Sequence, residues 1–501
     1  MTNRKLDLLL INPGNRSQVF QSLAADLAAI EPPVWAGLIA TFIRARGFAV
    51  QIVDAEAEGL SFDETACRVI DMEPTLTAVI VYGHQPSAST QNMPAAGVLC
   101  KMLKELAPNL KTILVGGHVA ALPERTLLEE CVDFTCDGEG PHTILQLLHA
   151  LTNKETDLGK VGGLLYRNGG QIARSGPAPL VKELDTEMPG IAWDLLPMQS
   201  YRAHNWHCFG DLVRQPYASL YTTLGCPFRC SFCCIQSPFK TGESLMGLKP
   251  TTNSYRMWKP KTIVAEIDRL VTEYGVRNIK IADELFVLNP KHVNDLCDLL
   301  IERDYNLNIW AYARVDTVKE AMVEKLKRAG VSWLAFGIEA ASERVRDDVE
   351  KGFDQNDIAK TVGKVGAAGI NVIGNFIFGL PEDSHSSMQA TLDLALELNC
   401  EFANFYVAMA YPGSQLYNDA LRKGWPLPDT WNGYSQHAVD TLPLPTKYLS
   451  AADVLRFRDE AFQLYFKNPN YLAMISRKFG PETATHIGEM ASHKLERRYV
   501  S

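Results

Sequence analysis

Residues 223–233 read TLGCPFRCSFC and contain three cysteines, Cys226, Cys230 and Cys233, in the spacing Cys-x3-Cys-x2-Cys. A loop this short brings the three thiolates towards one soft metal centre, and cysteines at such spacings hold iron–sulfur clusters. Three ligands leave one corner of a four-iron cluster open, and an open iron can chelate a small molecule. A closed zinc site needs four ligands, and on an extended backbone Cys234 is expected to point away from the other three. The loop therefore predicts a [4Fe–4S] cluster.

This loop resembles the signature of the radical S-adenosylmethionine (SAM) enzymes, in which the open iron binds the amino and carboxylate groups of SAM. Polar residues at predicted strand ends farther along resemble the SAM-contacting pattern of the cobalamin-dependent members. The resemblance implies that Glu339 contacts the sugar or amino group of SAM and that Arg314 pairs with its carboxylate. The SAM-binding residues implied in this way are Phe232, Arg314, Glu339, Asn375, Phe378 and Gly379.

Downstream of the cysteine loop, short apolar segments alternate with amphipathic helices. Such alternation predicts an open (β/α)6 barrel of the TIM type over residues 195–430, with its chemistry at the carboxyl ends of the strands. The segments expected to be strands are 218–221, 278–282, 308–314, 333–338, 371–378 and 405–410.

Residues 1–190 also alternate between apolar strands and helices, which predicts a doubly wound, Rossmann-like parallel sheet followed by a linker. Glycine and proline are frequent in residues 160–200, which predicts a turn-rich connection. No Gly-x-Gly-x-x-Gly follows the first strand, which argues against a nicotinamide cofactor. Ligands of such sheets bind beyond the carboxyl ends of the strands. The predicted strand ends carry Asn12, Pro13, Gly83, His84, Gln85, Gly116, Gly117, His118, Asp137, Gly138 and Glu139.

In order and spacing, residues 31–33, 116–124 and 137–140 resemble the cobalamin-binding domain fused to one large class of radical SAM enzymes. The resemblance implies that the strand-end residues contact cobalamin. The resemblance also implies cobalamin with its own base displaced. The Asp-x-His-x-x-Gly motif, which supplies a histidine ligand to cobalt in other corrinoid proteins, is absent after the first strand, so no histidine ligand is expected from that motif. His84 can approach the lower face of cobalt, but we expect it to face solvent. We expect His118 to be a backbone-anchored loop residue near the corrin.

Residues 431–501 are rich in aromatic residues at helical spacing, which predicts a small helical cap over the barrel. The basic segment 493–498 is expected to be a solvated tail. A substrate must lie between the N-terminal sheet and the barrel mouth, where both cofactors can reach it. Taken singly, each tyrosine near this space is expected to be a packed ring with a satisfied hydroxyl, and the candidates are put forward as a group. The candidates to line the substrate pocket are Tyr312, Asn404, Tyr406 and Tyr411.

The composition is that of a globular protein, with 46% hydrophobic and 21% charged residues in a chain of 501. A net charge of −9 argues against a nucleic-acid partner. No uninterrupted apolar run approaches the roughly 18 residues that span a bilayer. Eleven cysteines do not form the pattern of a secreted disulfide framework, and we expect a cytoplasmic location.

The family resemblance implies an enzyme with three cofactors, a [4Fe–4S] cluster, SAM and cobalamin, and favours a methyltransferase acting on an unactivated carbon of a small molecule. In that family a 5′-deoxyadenosyl radical removes a hydrogen from the substrate, and methylcobalamin supplies the methyl group. An external electron donor such as flavodoxin or ferredoxin is expected. Oxidative cyclisation or rearrangement with the same cofactors, as in the anaerobic cyclases of chlorophyll biosynthesis, is the alternative. A non-catalytic corrinoid sensor would have no use for an open iron.

Replacing Cys226, Cys230 or Cys233 singly with alanine should abolish SAM cleavage, because each change removes one iron ligand. Cys234→Ala should largely spare it. Iron content and 5′-deoxyadenosine formation after anaerobic reconstitution measure both effects. Full iron content and activity in Cys230→Ala would contradict the cluster assignment.

Overall fold

The computed structural model describes residues 5–14, 21, 27–154, 157–210 and 212–500. Within these ranges the chain forms an N-terminal sheet with helices on both faces, a central parallel sheet and a C-terminal group of helices. This architecture confirms the α/β fold class predicted from the sequence.

Among the described residues, seven strands form the N-terminal sheet in the order β2-β1-β3-β4-β5-β6-β7. The first five run parallel, and β6 and β7 are antiparallel to their neighbours. The strands are β1 (Leu8–Asn12), β2 (Val50–Asp54), β3 (Leu76–Ile80), β4 (Thr112–Val115), β5 (Phe134–Cys136), β6 (Leu164–Asn168) and β7 (Gln171–Arg174). The helices are α1 (Val34–Arg44), α2 (Ala55–Glu58), α3 (Phe62–Asp71), α4 (Ala88–Gln91), α5 (Met93–Leu106), α6 (Gly117–Ala121), α7 (Pro123–Glu129), α8 (Pro141–Asn153) and α9 (Leu184–Glu187).

The strand order of this sheet reverses between β1 and β3. In open α/β sheets the crevice at such a switch point, beyond the carboxyl ends of the strands, is where ligands bind. The loops that border this crevice are residues 12–14 after β1 and residues 83–87 after β3. Two of the predicted strand-end segments, those after β1 and β3, therefore border the crevice in which a ligand is expected.

Residues 164–174 lie in the stretch expected to be a turn-rich linker, yet they form the β6–β7 hairpin. Gly169 and Gly170 both have positive φ, +56° and +85°, and two central residues with φ > 0 characterise the tight turns that suit a twisted hairpin. The glycines correctly mark a turn. Pairing of the flanking residues, Asn168 with Gln171 and Arg167 with Ile172, adds the hairpin to the edge of the sheet.

The central sheet is formed, in the described ranges, by six parallel strands in the order β15-β14-β13-β12-β11-β8. Residues from four of these strands, β12 to β15, and from the segment directly after β11 line one cavity, so the sheet curves into an open barrel. The strands are β8 (Tyr217–Leu220), β9 (Thr223–Leu224), β10 (Arg256–Met257), β11 (Asn278–Ile281), β12 (Asn308–Ala313), β13 (Val331–Glu339), β14 (Asn371–Phe378) and β15 (Phe402–Val407), of which β9 and β10 form a separate pair. The helices are α10 (Lys240–Leu245), α11 (Pro260–Tyr274), α12 (Pro290–Arg303), α13 (Glu320–Arg328), α14 (Glu343–Asp348), α15 (Gln355–Ala367), α16 (His385–Leu398) and α17 (Gln415–Lys423).

The last barrel strand begins and ends three residues earlier than expected. The Gln436 side-chain amide pairs with the last residue of this strand: it accepts from the Val407 N–H at 2.9 Å and donates to the Val407 carbonyl at 3.1 Å. Tyr411 consequently lies in the segment after the strand.

Three helices follow, α18 (Ala451–Phe466), α19 (Pro469–Phe479) and α20 (Pro481–Ser492). Beyond them the basic segment, expected to be a solvated tail, is exposed at His493, Lys494, Glu496 and Arg498 but docked at Arg497. The Arg497 side chain is only 5% exposed and pairs with Asp459 at 3.0 Å. Arg497 also donates to the carbonyl oxygens of Gln436 and Ala438, so its guanidinium is satisfied by protein.

The two sheets are joined by a continuous hydrophobic cluster and by buried ion pairs. The cluster includes Trp35 of the N-terminal domain and Tyr217 of the barrel. Lys280 on β11 is 1% exposed and pairs with Glu31 at 2.9 Å. Its ammonium also donates to the carbonyl of His84 at 2.8 Å. No helix in the described ranges is both long and apolar enough to cross a membrane.

Lys280→Met should lower the free energy of unfolding by about 3–5 kcal/mol at neutral pH, because it leaves the buried Glu31 carboxylate unpaired. Burial favours a raised pKa for Glu31, but the Lys280 ammonium holds it well below the usual 4.5. The stability that this pair contributes is fully present above pH 4.5, the usual pKa of a glutamate, and is lost as the pH falls through the lower pKa of Glu31 in the folded state. The deficit of the variant should therefore narrow in acid, where its Glu31 becomes protonated.

Lys291→Met is the matched control, since Lys291 pairs with Asp295 and is 84% exposed. Lys291→Met should lower the free energy of unfolding by at most about 1 kcal/mol. Thermal unfolding of both variants at several pH values measures these losses. Equal losses of stability in the two variants, or a loss in Lys280→Met that does not change with pH, would contradict a buried, charged pair.

Candidate active site

A cavity of about 280 Å³ occupies the mouth of the barrel. The cysteine loop forms one wall, and the carboxyl ends of β11 to β15 form another. The loop after β3 of the N-terminal domain borders it from the opposite side, through His84 and Gln85. Both sheets therefore direct their carboxyl edges at one space.

Cys226, Cys230 and Cys233 all line this cavity. The loop that carries them is held by the Asn253 side chain, which donates to the carbonyl oxygens of Cys226 at 3.0 Å and Phe228 at 2.7 Å. Within the loop, the Cys233 N–H donates to the Cys230 carbonyl at 3.0 Å. These contacts hold the loop curled towards the barrel.

Burial raises the pKa of the Cys226 thiol to about 12 and that of Cys233 well above its usual value. A thiolate at these positions would therefore need a nearby cation. In the described part of the chain, no three metal-binding side chains surround a single point. A four-iron cluster does not require this, because each cysteine binds a different iron. Cys234 also borders the cavity.

Arg314 presents an unsatisfied guanidinium nitrogen next to the cysteine loop. The residue is 4% exposed, donates from Nε to Asp316 at 2.8 Å and from Nη2 to the Gly352 carbonyl at 2.9 Å. Its Nη1 is buried without a hydrogen-bond partner. The guanidinium lies over the Phe228 ring, 4.3 Å from the centroid. A buried donor of this kind suits the carboxylate of a bound ligand.

Glu339 and Lys351 form an ion pair in the same cavity, 2.7 Å apart. Burial favours a lower pKa for Lys351, but the Glu339 carboxylate raises it above the usual value. Glu339 has φ +65° and follows an irregularity in the β13–β14 pairing, so its backbone leaves the regular strand at the cavity. A Cβ at Gly337 would lie 2.5 Å from the Glu339 carboxylate, so only glycine leaves room for the pair.

The remaining residues of the expected SAM set divide between the cavity and the core. Phe232 and Asn375 line the cavity. Phe378 instead packs in the hydrophobic core against Phe405 and Phe457, and Gly379 lies against Val454 of α18. Side chains alternate along a strand, so the placement of Asn375 on the cavity side of β14 puts Phe378 on the other. Ile377 and Leu380 occupy the cavity wall there.

Three of the four substrate-pocket candidates, Tyr312, Tyr406 and Tyr411, line the cavity. Burial raises the pKa of all three phenols, that of Tyr411 to about 12, so they are neutral hydrogen-bonding groups. The Tyr411 hydroxyl donates to the Tyr434 carbonyl at 3.1 Å. Asn404 lies behind the wall and donates to the Asn375 side-chain carbonyl at 2.9 Å.

A second cavity, of about 100 Å³, lies at the switch point of the N-terminal sheet. Asn12, Gly83 and His84 line it together with Glu31 and His204. A smaller cavity of about 30 Å³ is bordered by Gln85 and Gly117. The predicted residues after β1, β3 and β4 thus lie on connected concave surface, as a ligand at this sheet edge requires.

The strand-end residues after β5 have structural partners. Asp137 pairs with Arg174, and Glu139 pairs with Arg256 of the barrel at 2.9 Å. Gly138 lies beside Thr241. These residues connect the N-terminal sheet to its hairpin and to the barrel.

The remaining N-terminal candidates are packed against other parts of the protein. His118 is 2% exposed, contacts Thr90 at 3.1 Å and packs edge-on against Trp431, and burial lowers its pKa to about 3. A Cβ at Gly116 would lie 2.7 Å from the Val81 backbone, which explains the glycine by close packing. Pro13 is buried beside β1.

Several cavity residues lie outside the expected set. Lys351 and Gln436 reach it from segments that carry no recognisable motif. Glu284 also lines it, and burial raises the pKa of its carboxyl to about 8. The neighbouring Asp283 is structural, since it accepts the Thr222 N–H at 2.6 Å. In the sequence, this part of the cavity is marked by two acidic residues, Asp283 and Glu284, that directly follow β11.

Two family models match this chain. The radical SAM superfamily model matches residues 220–395, and the B12 binding domain model matches residues 21–148. The matched regions contain the cysteine loop and the strand ends of the N-terminal sheet.

Among curated proteins, the chain is 27% identical over 468 residues to an uncharacterized methyltransferase of Pyrococcus horikoshii, covering 93% of this chain and 94% of the relative. It is 25% identical over 409 residues to the anaerobic magnesium-protoporphyrin IX monomethyl ester cyclase of Cereibacter sphaeroides, covering 80% of this chain and 62% of the cyclase.

Among solved structures, the fold is similar to that of TsrM, a radical SAM methyltransferase from Kitasatospora setae with cobalamin and a [4Fe–4S] cluster bound. The TM-score is 0.67 at 14% identity, over 98% of this chain and 100% of TsrM. The two matched domains account for the predicted cofactors, a [4Fe–4S] cluster, SAM and cobalamin. The chain therefore contains a region that matches the radical SAM superfamily, preceded by a region that matches the B12 binding domain.

Proposed function

We propose that the protein is a cobalamin-dependent radical SAM methyltransferase that methylates an unactivated carbon of a small molecule. The observation that carries this proposal is the position of residues 83–87. This loop borders both the switch-point cavity and the barrel-mouth cavity, so ligands of the two domains face one shared space. When bound, SAM and the reduced cluster supply a 5′-deoxyadenosyl radical, and cobalamin supplies the methyl group.

The cavity residues have roles that fit this chemistry. Arg314 pairs through its free Nη1 with the carboxylate of SAM, and Glu339, held by Lys351, accepts hydrogen bonds from the SAM sugar or amino group. Cys226, Cys230 and Cys233 hold the cluster. The tyrosine rings exclude water, which would otherwise quench reactive species, and Tyr312 and Tyr406 position the substrate.

Two further features belong to the proposal. An external one-electron donor such as flavodoxin or ferredoxin reduces the cluster, and the exposed Pro227 and Arg229 in the cysteine loop offer the shortest approach. A reducing, cytoplasmic location follows because the cluster thiolates must remain reduced.

Oxidative cyclisation is the second candidate function. The likeness to the anaerobic cyclase favours it, since that relative shares sequence with both domains of this chain. Methyl transfer is preferred because the methyltransferase relative is matched over nearly its whole length, whereas the chain spans 62% of the cyclase.

Arg314→Met should weaken SAM binding roughly 10- to 100-fold, because a charge-assisted hydrogen bond contributes about 1.5–3 kcal/mol. Equilibrium binding of SAM to the anaerobically reconstituted protein measures the change. Arg269→Met, which removes an exposed arginine paired with Glu273, is the control and should bind SAM normally. Unchanged affinity in the Arg314 variant at full iron content would remove Arg314 from the SAM site.

SAM with a deuterated methyl group separates the two candidate reactions without knowledge of the substrate. Protein loaded with cobalamin and treated with a strong reductant should transfer the labelled methyl to cobalamin and form S-adenosylhomocysteine. Mass spectrometry of the released corrinoid measures the transfer. A cyclase would leave cobalamin unlabelled while still forming 5′-deoxyadenosine, and that outcome would overturn the methyltransferase assignment.

A further inference from the structure

His84 occupies the boundary between the two ligand cavities. Its side chain lines the switch-point cavity, with Asn12 and Gly83, and also the barrel-mouth cavity, with the cluster cysteines. The residue is partly exposed, and the space that it borders lies between the two domains. A cobalamin that contacted both domains would lie next to this residue.

The backbone of His84 is held from both sides. Its carbonyl accepts a 2.8 Å hydrogen bond from the Lys280 ammonium, which is itself fixed by Glu31 at 2.9 Å. The preceding Gly83 has φ +73°, and a Cβ there would lie 2.6 Å from that of Ala88. A tight turn followed by a buried charge-assisted hydrogen bond fixes the direction in which the side chain leaves the loop.

The imidazole of His84 is available as a ligand. In the described part of the chain its ring makes no hydrogen bond, although the Glu31, Lys280 and His204 side chains lie close enough to act on it electrostatically. Burial, chiefly, lowers its pKa to about 4, so the ring is neutral near pH 7. A neutral imidazole has one nitrogen lone pair free to bind a metal.

We propose that His84 supplies an axial nitrogen ligand to the cobalt of cobalamin. The ring nitrogen donates its lone pair to cobalt, and no proton or electron is transferred. This assignment rests on the proposed cobalamin-dependent function and adds a ligand that the missing Asp-x-His-x-x-Gly motif does not provide. The loop after β3 takes the place of the loop after β1 as the source of the histidine, with Lys280 as the positioning residue.

Electron paramagnetic resonance of bound Co(II) corrinoid tests the ligand directly. The probe is cobinamide, which lacks the nucleotide base, so that any nitrogen ligand must come from the protein. We expect each cobalt hyperfine line of the wild-type complex to be split into a triplet by one nitrogen. Histidine labelled with ¹⁵N should convert the triplets into doublets, which requires no substitution.

His84→Ala should bind cobinamide but lose the nitrogen splitting, and added imidazole should restore it. His204→Ala is the matched control, because His204 is another half-buried histidine of the same cavity, and it should keep the splitting. A wild-type complex without nitrogen splitting, or splitting that survives in His84→Ala, would overturn the ligand assignment and leave the proposed function intact. Failure of the wild type to bind cobinamide or hydroxocobalamin would overturn both.

Discussion

A buried ammonium at the domain boundary is the interaction on which this arrangement depends. Lys280 extends from the barrel strand β11 to Glu31 and to the His84 carbonyl of the N-terminal domain. Because a buried charge is costly without partners, this contact specifies one relative placement of the two sheets. That placement brings the crevice at the switch point of the first sheet next to the mouth of the barrel, so that the two cavities share His84 as a lining residue.

The electrostatics of this space suit a zwitterionic ligand in dry surroundings. Arg314 and Lys351 provide fixed cations near the cysteine loop, while Glu339 provides an anion. The raised pKa values of Glu284 and of the three cysteines of the loop have the same main cause, burial. The same exclusion of water that makes these groups reluctant to ionise strengthens hydrogen bonds and ion pairs to a bound ligand.

The C-terminal region completes the cavity through polar contacts. The Gln436 amide pairs with Val407 at the end of β15 and lines the cavity beyond it. Arg497, near the end of the chain, donates to the Gln436 carbonyl and pairs with Asp459 of α18. The final residues therefore support a wall of the active-site cavity, although they lie far from it in sequence.

The sequence by itself determined the two parallel α/β domains, the helical C-terminal region and the family, because hydrophobic periodicity and the spacing of Cys226, Cys230 and Cys233 are local properties of the chain. The sequence did not determine which segments pair or pack against each other in the folded chain. Glycines marked the turn of the β6–β7 hairpin without showing that its arms join the sheet, and which face of β14 meets the cavity, Ile377 or Phe378, depends on packing against α18. The position of His84 is likewise tertiary, since its carbonyl is held by Lys280, 196 residues away, and only folding brings that ammonium to it.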